Sequence, residues 1–127
     1  MTSAAIAPAD VEAIVATVRD YFDGWFTGDA ERMRRALHPE LAKRGIPRGA
    51  LETDTAESMV SATAEGIGTR YEPARRGITI DVVHVHGDIA TATVVGVVYV
   101  EYLHLVRSDG RWRIVNTLWD FATADVL

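Results

Sequence analysis

Tyr99-Val-Glu-Tyr-Leu-His-Leu-Val-Arg107, Ser108-Asp-Gly110 and Arg111-Trp-Arg-Ile-Val-Asn-Thr-Leu-Trp-Asp-Phe121 form two β-rich runs around an Asp-Gly turn. Asp-Gly between alternating apolar residues is a strong short-range hairpin signal. A type I turn at Ser108-Asp109, with Gly110 as a left-handed bulge, pairs Arg107 with Arg111. Counting outward, Val106, Trp112, His104, Ile114, Tyr102, Asn116, Val100 and Leu118 then share one face. That face is apolar near the turn and carries Tyr102, His104 and Asn116 further along, the composition a small-molecule pocket needs. A tight two-residue turn at Asp109-Gly110 shifts the register by one and sends Tyr102 and His104 to the other face. In the first register the opposite face carries Leu103, Leu105, Val115, Thr117, Trp119 and Phe121. A sheet apolar on both faces must cover both, one with its own helices and the other with a second copy.

The 127 residues suffice for one domain with a real core, with residues 1–7 expected to be flexible. Hydrophobic residues make up 48% and charged residues 24%, as in ordinary globular chains, and the net charge of -5 disfavours nucleic acid as main partner. No apolar run reaches membrane-span length, no signal peptide is visible, and cysteine is absent, so a cytoplasmic protein without thiolate chemistry is expected.

Pro8 sits where a helix can begin, and Val11, Ile14, Val15, Val18, Phe22, Trp25 and Phe26 recur at helical spacing, with Tyr21 on the stripe's edge. Gly28 ends this helix and Asp29 caps a short second one from Ala30 to Leu37. Leu41 to Ile46 reads as a short edge strand. Asp54-Thr-Ala-Glu57 has capping-box spacing, with Asp54 as the cap, before a third helix bearing Met59, Val60 and Thr63. Ile78–His86 and Ile89–Val95 are strands joined at Gly87-Asp88, and Gly96-Val97 is the next reversal. Helices first and a curled antiparallel meander after predict an α+β domain with the helices in one face of the sheet.

Tyr21-Phe-Asp-Gly-Trp25 with Gly28-Asp29, Leu37-His-Pro39, Tyr102-Leu-His-Leu-Val106 and Asp109-Gly-Arg-Trp-Arg-Ile-Val-Asn116 resemble the NTF2-like superfamily, specifically its SnoaL-like, lumazine-binding branch. The resemblance spans Asp10 to Phe121. It implies a cone-shaped barrel with three N-terminal helices on a curved antiparallel sheet, a pocket in the cone's mouth and a homodimer. It also places His38 near that mouth. The superfamily holds isomerases, dehydratases, cyclases, hydrolases and non-catalytic binders, so the fold does not choose the chemistry.

The expected pocket chemistry therefore rests on side chains. His104 is the candidate proton-transfer group, since imidazole exchanges protons near neutral pH. Tyr102 and Asn116 are candidate polarising donors. Tyr21, Trp25, His38, Met59, Trp112 and Asp120 are expected to contact the ligand. Asp120 is also a candidate rim base, with strand-end exposure as the alternative. Each has a plain structural role as its alternative, such as core packing or a satisfied hydrogen bond. His84 and His86 lie near His104, but no carboxylate at suitable spacing joins them, so no metal is expected. Lys43-Arg44 reads as surface charge, or as an attractor of anions. No phosphate loop, nucleophile elbow or redox fingerprint is present, so no cofactor is expected. Two functions follow: a cofactor-independent acid–base enzyme acting on a small organic substrate, or a non-catalytic binder of an apolar, aromatic-like molecule. A dimerisation module with an empty pocket is a third reading.

Overall fold

The computed structural model describes residues 6–123. Residues 1–5, most of the segment expected to be flexible, lie outside the described residues. Helix α1 spans Pro8–Thr27 and starts on the proline. It ends where Gly28 takes a left-handed conformation and its N–H reaches the Gly24 carbonyl. Asp29 caps α2 (Ala30–Ala36) by accepting the Arg32 N–H at 3.1 Å. Helix α3 (Ala56–Ala64) is capped by Thr55 rather than by Asp54. The Thr55 and Ser58 side chains each accept the other's backbone N–H, a reciprocal box that leaves Asp54 free to end a strand.

Six strands follow one another as β1 (Leu37–Gly45), β2 (Glu52–Asp54), β3 (Ile78–His86), β4 (Ile89–Gly96), β5 (Tyr99–Ser108) and β6 (Arg111–Phe121). They form one curved sheet in the order β2-β1-β6-β5-β4-β3. The four C-terminal strands make the expected antiparallel meander, whereas β1 runs parallel to β6, so the sheet is mixed. Strand β1 is not the edge: β2 pairs along its far side. Pro39, which has no N–H to give a ladder, falls in the stretch where β1 slips register against β6. Among the described residues, no helix is long and apolar enough to cross a membrane.

Two local features set which side chains enter the core. Asp109 and Gly110 both have positive φ, 54° and 73°, and Ser108 pairs with Arg111. The hairpin is thus the tight two-residue turn with both central residues left-handed, not the type I turn with a glycine bulge. Four pairs further on, the ladder jumps from Leu105↔Ile114 to His104↔Asn116, leaving Val115 as an extra residue. That bulge reverses the parity of β6, so Trp112 and Ile114 point inward before it and Thr117, Trp119 and Phe121 after it. On β5 the inward residues are Tyr99, Glu101, Leu103 and Leu105. The expected outer row of Leu103, Leu105, Thr117 and Trp119 is therefore interior: Leu103, Leu105 and Thr117 are buried and Trp119 packs against the core. Ile14, Val18, Phe22, Phe26 and Met33 of the helices close over this concave face.

The turn type is testable at Asp109. A β-branched residue tolerates a positive φ poorly, so Asp109→Val should cost about 1–2 kcal/mol in urea unfolding. Equal stability of the variant and the wild type would restore the three-residue turn, in which residue 109 has negative φ.

Candidate functional site

The cone's interior holds a cavity of about 80 Å³, lined by Tyr21, Phe22, Trp25, Lys43, Asp54, Met59, Tyr99, Glu101 and Trp119. That space admits a few waters or a small organic molecule. Its inner end is polar. Lys43 from β1, Tyr21 from α1 and Glu101 from β5 meet there, exposed by only 7%, 2% and 2%. The Tyr21 hydroxyl donates to Glu101 Oε2 at 2.6 Å. Lys43 Nζ donates to the Tyr21 hydroxyl and lies 3.3 Å from the same Glu101 oxygen. A buried charge needs a partner and hydrogen bonds, and this arrangement supplies both. Lys43 also lies over the rings of Tyr21 and Trp119, 5.0 and 5.4 Å from their centroids. Asp54 faces Lys43 across the β1–β2 pair, and its carboxylate accepts the Ser58 hydroxyl at 2.9 Å.

Aromatic rings make the walls. Tyr99 is their centre, stacked on Phe26 and Phe121 and edge-on to Trp119. Trp25 Nε1 donates to the Tyr99 hydroxyl at 3.0 Å. Both wall tryptophans lie flat against a glycine. A Cβ on Gly45 would sit 2.2 Å from Trp119 Nε1, and one on Gly68 would sit 2.6 Å from the Trp25 ring. Glycine at these two positions sets how far each indole tucks in.

A family model described as "Putative lumazine-binding" matches residues 9–120. The chain belongs to that lumazine-binding family. No curated protein matches it. Among solved structures, this lumazine-binding-family chain resembles an NTF2-like protein of unknown function from Silicibacter pomeroyi DSS-3. The TM-score is 0.75 at 21% identity, covering 91% of this chain and 99% of that one. An NTF2-like protein from Cytophaga hutchinsonii matches at TM-score 0.66 and 17% identity, over 91% and 99% of the two chains. A protein described as a putative ketosteroid isomerase, from Shewanella frigidimarina, matches at 0.58 and 21%, over 84% and 94%. These likenesses show the NTF2-like α+β fold.

In this family member the expected catalytic trio lies outside the cavity. His104, Tyr102 and Asn116 point to the sheet's outer face and are exposed, with Asn116 Nδ2 3.4 Å from His104 Nδ1. The tight turn places the β5 pair there, and the bulge at Val115 carries Asn116 with them. Asp120 is also exposed on the outside, its carboxylate accepting the Phe121 N–H. His38 does not line the cavity; its Nδ1 accepts the Glu40 N–H at 3.0 Å. Trp112 is buried but away from the cavity, under the Arg107 guanidinium, its carbonyl accepting the Thr17 hydroxyl. Tyr21, Trp25 and Met59 do line the cavity. Among the described residues, no three His, Asp or Glu side chains converge as a metal site requires.

Of the cavity's charged groups, Lys43 was expected as surface charge or an attractor of anions, Asp54 as a helix cap, and Glu101 had no expected role. Two signals were present. Glu101 stands mid-strand in an apolar run, where a carboxylate is costly unless paired. Lys43 is the chain's only lysine, its other basic residues being arginine. Of the basic pair read as surface charge, Arg44 is exposed and Lys43 is not.

Burial holds the Tyr21 hydroxyl well above its usual range, reinforced by the Glu101 charge, and burial likewise raises Tyr99. Both should stay protonated while ordinary tyrosines ionise near pH 10. A raised folded-state value means this contribution to stability is complete at neutral pH and is lost as pH climbs above about 10. Absorbance titration should show a late tyrosinate phase that loses amplitude in Tyr21→Phe. A Tyr21→Phe curve superimposable on the wild type would contradict the buried hydroxyl.

Proposed function

We propose that the chain binds a small organic molecule in the cone and acts on it by acid–base chemistry without a cofactor. The observation that carries this is the hydrogen-bonded Lys43–Tyr21–Glu101 group in a cavity whose other lining residues are mostly aromatic. A donor, a bridging hydroxyl and a carboxylate in one water-poor space can move a proton to or from a bound ligand. Asp54 adds a second carboxylate on the cavity wall. Trp25, Trp119, Tyr99 and Met59 favour a flat, apolar ligand body. The likeness to a protein described as a putative ketosteroid isomerase is compatible with proton-transfer chemistry and selects no substrate. One observation favours the second reading, a non-catalytic binder: the three polar groups already satisfy one another, so the same geometry serves as an internal tie.

Binding is read by Trp25 and Trp119 fluorescence against a panel of small aromatic compounds. Met59→Phe, which fills the cavity, should weaken binding about tenfold or more, while His104→Ala on the outer face leaves it unchanged. The reverse pattern would sink the cavity as the site. For any compound turned over, Tyr21→Phe should lower kcat by about 10²-fold or more with similar affinity. Undiminished turnover in Tyr21→Phe would remove the acid–base role.

We also propose a homodimer through the outer sheet face. Val95, Tyr102 and Leu118 are 57%, 55% and 50% exposed there on three neighbouring strands. An isologous contact would cover such a patch with its own copy. Sedimentation should give a dimer for the wild type and a monomer for Leu118→Glu; a wild type that is monomeric at micromolar concentration ends the proposal.

A further inference from the structure

The chain distributes its basic residues unevenly. Arginine serves every position but one, and the single lysine is the one basic side chain buried in the cavity. An ion pair with Glu101 does not by itself require lysine, because arginine makes the stronger forked pair with a carboxylate. What lysine offers and arginine does not is an amine that gives up its proton and attacks carbon.

We propose that Lys43 is a nucleophile that forms an iminium with a small aldehyde or ketone held in the cavity. This rests on the cavity being the ligand site. The hydrogen bonds supply the proton path: Lys43 donates to the Tyr21 hydroxyl, and Tyr21 donates to Glu101. Moving one proton along it leaves a neutral amine and a neutral carboxylic acid, so the buried site keeps its net charge. The amine lone pair then attacks the carbonyl carbon. The carbon–oxygen π pair moves to oxygen, which takes the proton released by nitrogen, giving a neutral carbinolamine. Glu101, through Tyr21, protonates that hydroxyl. Water leaves as the nitrogen lone pair closes the C=N bond. The sum is lysine ammonium plus carbonyl giving iminium plus water, with Glu101 returned to carboxylate. The aromatic walls exclude the bulk water that would reverse the step. Asp54, opposite Lys43, is the carboxylate placed to take a proton from the carbon next to the iminium.

The test uses the whole chain, benzaldehyde and propanal as probes, and cyanoborohydride to reduce any iminium to a stable secondary amine. Peptide mass spectrometry locates the adduct, and alkylation also blocks tryptic cleavage after Lys43. A synthetic peptide of residues 41–45 supplies the reference amine. Lys43 should be alkylated about tenfold or more faster than the peptide, and benzyl alcohol, shaped like benzaldehyde but lacking the carbonyl, should suppress the reaction. Tyr21→Phe, which keeps the amine and the cavity, should slow it. Lys43→Arg, which retains the charge beside Glu101, should give no adduct in the cavity. If benzyl alcohol perturbs the tryptophan fluorescence but Lys43 reacts no faster than the peptide, the nucleophile is overturned and the cavity stands. If benzyl alcohol does not bind and Lys43 is not alkylated, both fall.

Discussion

Everything in this molecule is arranged so that one ammonium and one carboxylate can be buried side by side. Lys43 and Glu101 each lose most of their hydration on folding, and their mutual attraction, the shared Tyr21 hydroxyl and the Tyr21 and Trp119 rings beside the ammonium offset that cost. The three groups come from β1, β5 and α1. Those elements meet only if the sheet curls, α1 lies in its hollow and β1 docks parallel to β6. Removing Lys43 or Glu101 would leave the other charge buried and unpaired, a loss of about 3–5 kcal/mol.

The cavity beside the tie exists because of what flanks it. Trp119 can lie across β1 because Gly45 presents no side chain, and Trp25 can lie on the loop after α3 because Gly68 does the same. Tyr99 holds the two walls together through the Trp25 hydrogen bond and the stack of Phe26 and Phe121. A larger residue at either glycine would push an indole into the space a ligand needs. The buried polar groups and the glycines that shape the space around them are therefore different residues of the sequence, brought together by the fold. That separation is why a common fold can carry different chemistries.

Sheet parity is the second constraint. One extra residue at Val115 turns Trp119 inward and Asn116 outward. Without it, Trp119 would face solvent and Asn116 would take an interior place with no partner in an apolar run. The bulge lies where β6 is held on both sides, by β5 and by β1, and it lets one strand satisfy two neighbours of different direction.

The sequence by itself determined the three helices, the first strand and the four-strand meander, in order, but not β2, a three-residue strand too short to show a pattern of its own. Pro8, Gly28 and Asp29 act over one helical turn and Asp109-Gly110 marks a turn over four residues, so each is legible without the rest of the chain, whereas the third helix's cap was expected at Asp54 and lies one residue on, at Thr55. Helical spacing likewise placed Tyr21, Trp25 and Met59 on inward faces, the element order gave an α+β domain, and the resemblance of the motifs to the NTF2-like superfamily implied the cone. Only the tertiary structure decided which face of β5 and β6 is the inside. A strand's two faces differ by one residue of register, and both were apolar enough to qualify. The turn type and the bulge settle that choice, and the bulge falls where β6 is flanked by β1, a strand far away in sequence. The same limit hid the site. Lys43 reads as a surface lysine beside Arg44, and its burial depends on Glu101, 58 residues later. A charge is cheap in water and costly inside unless paired, so no local pattern could locate Lys43 before its partner was in place.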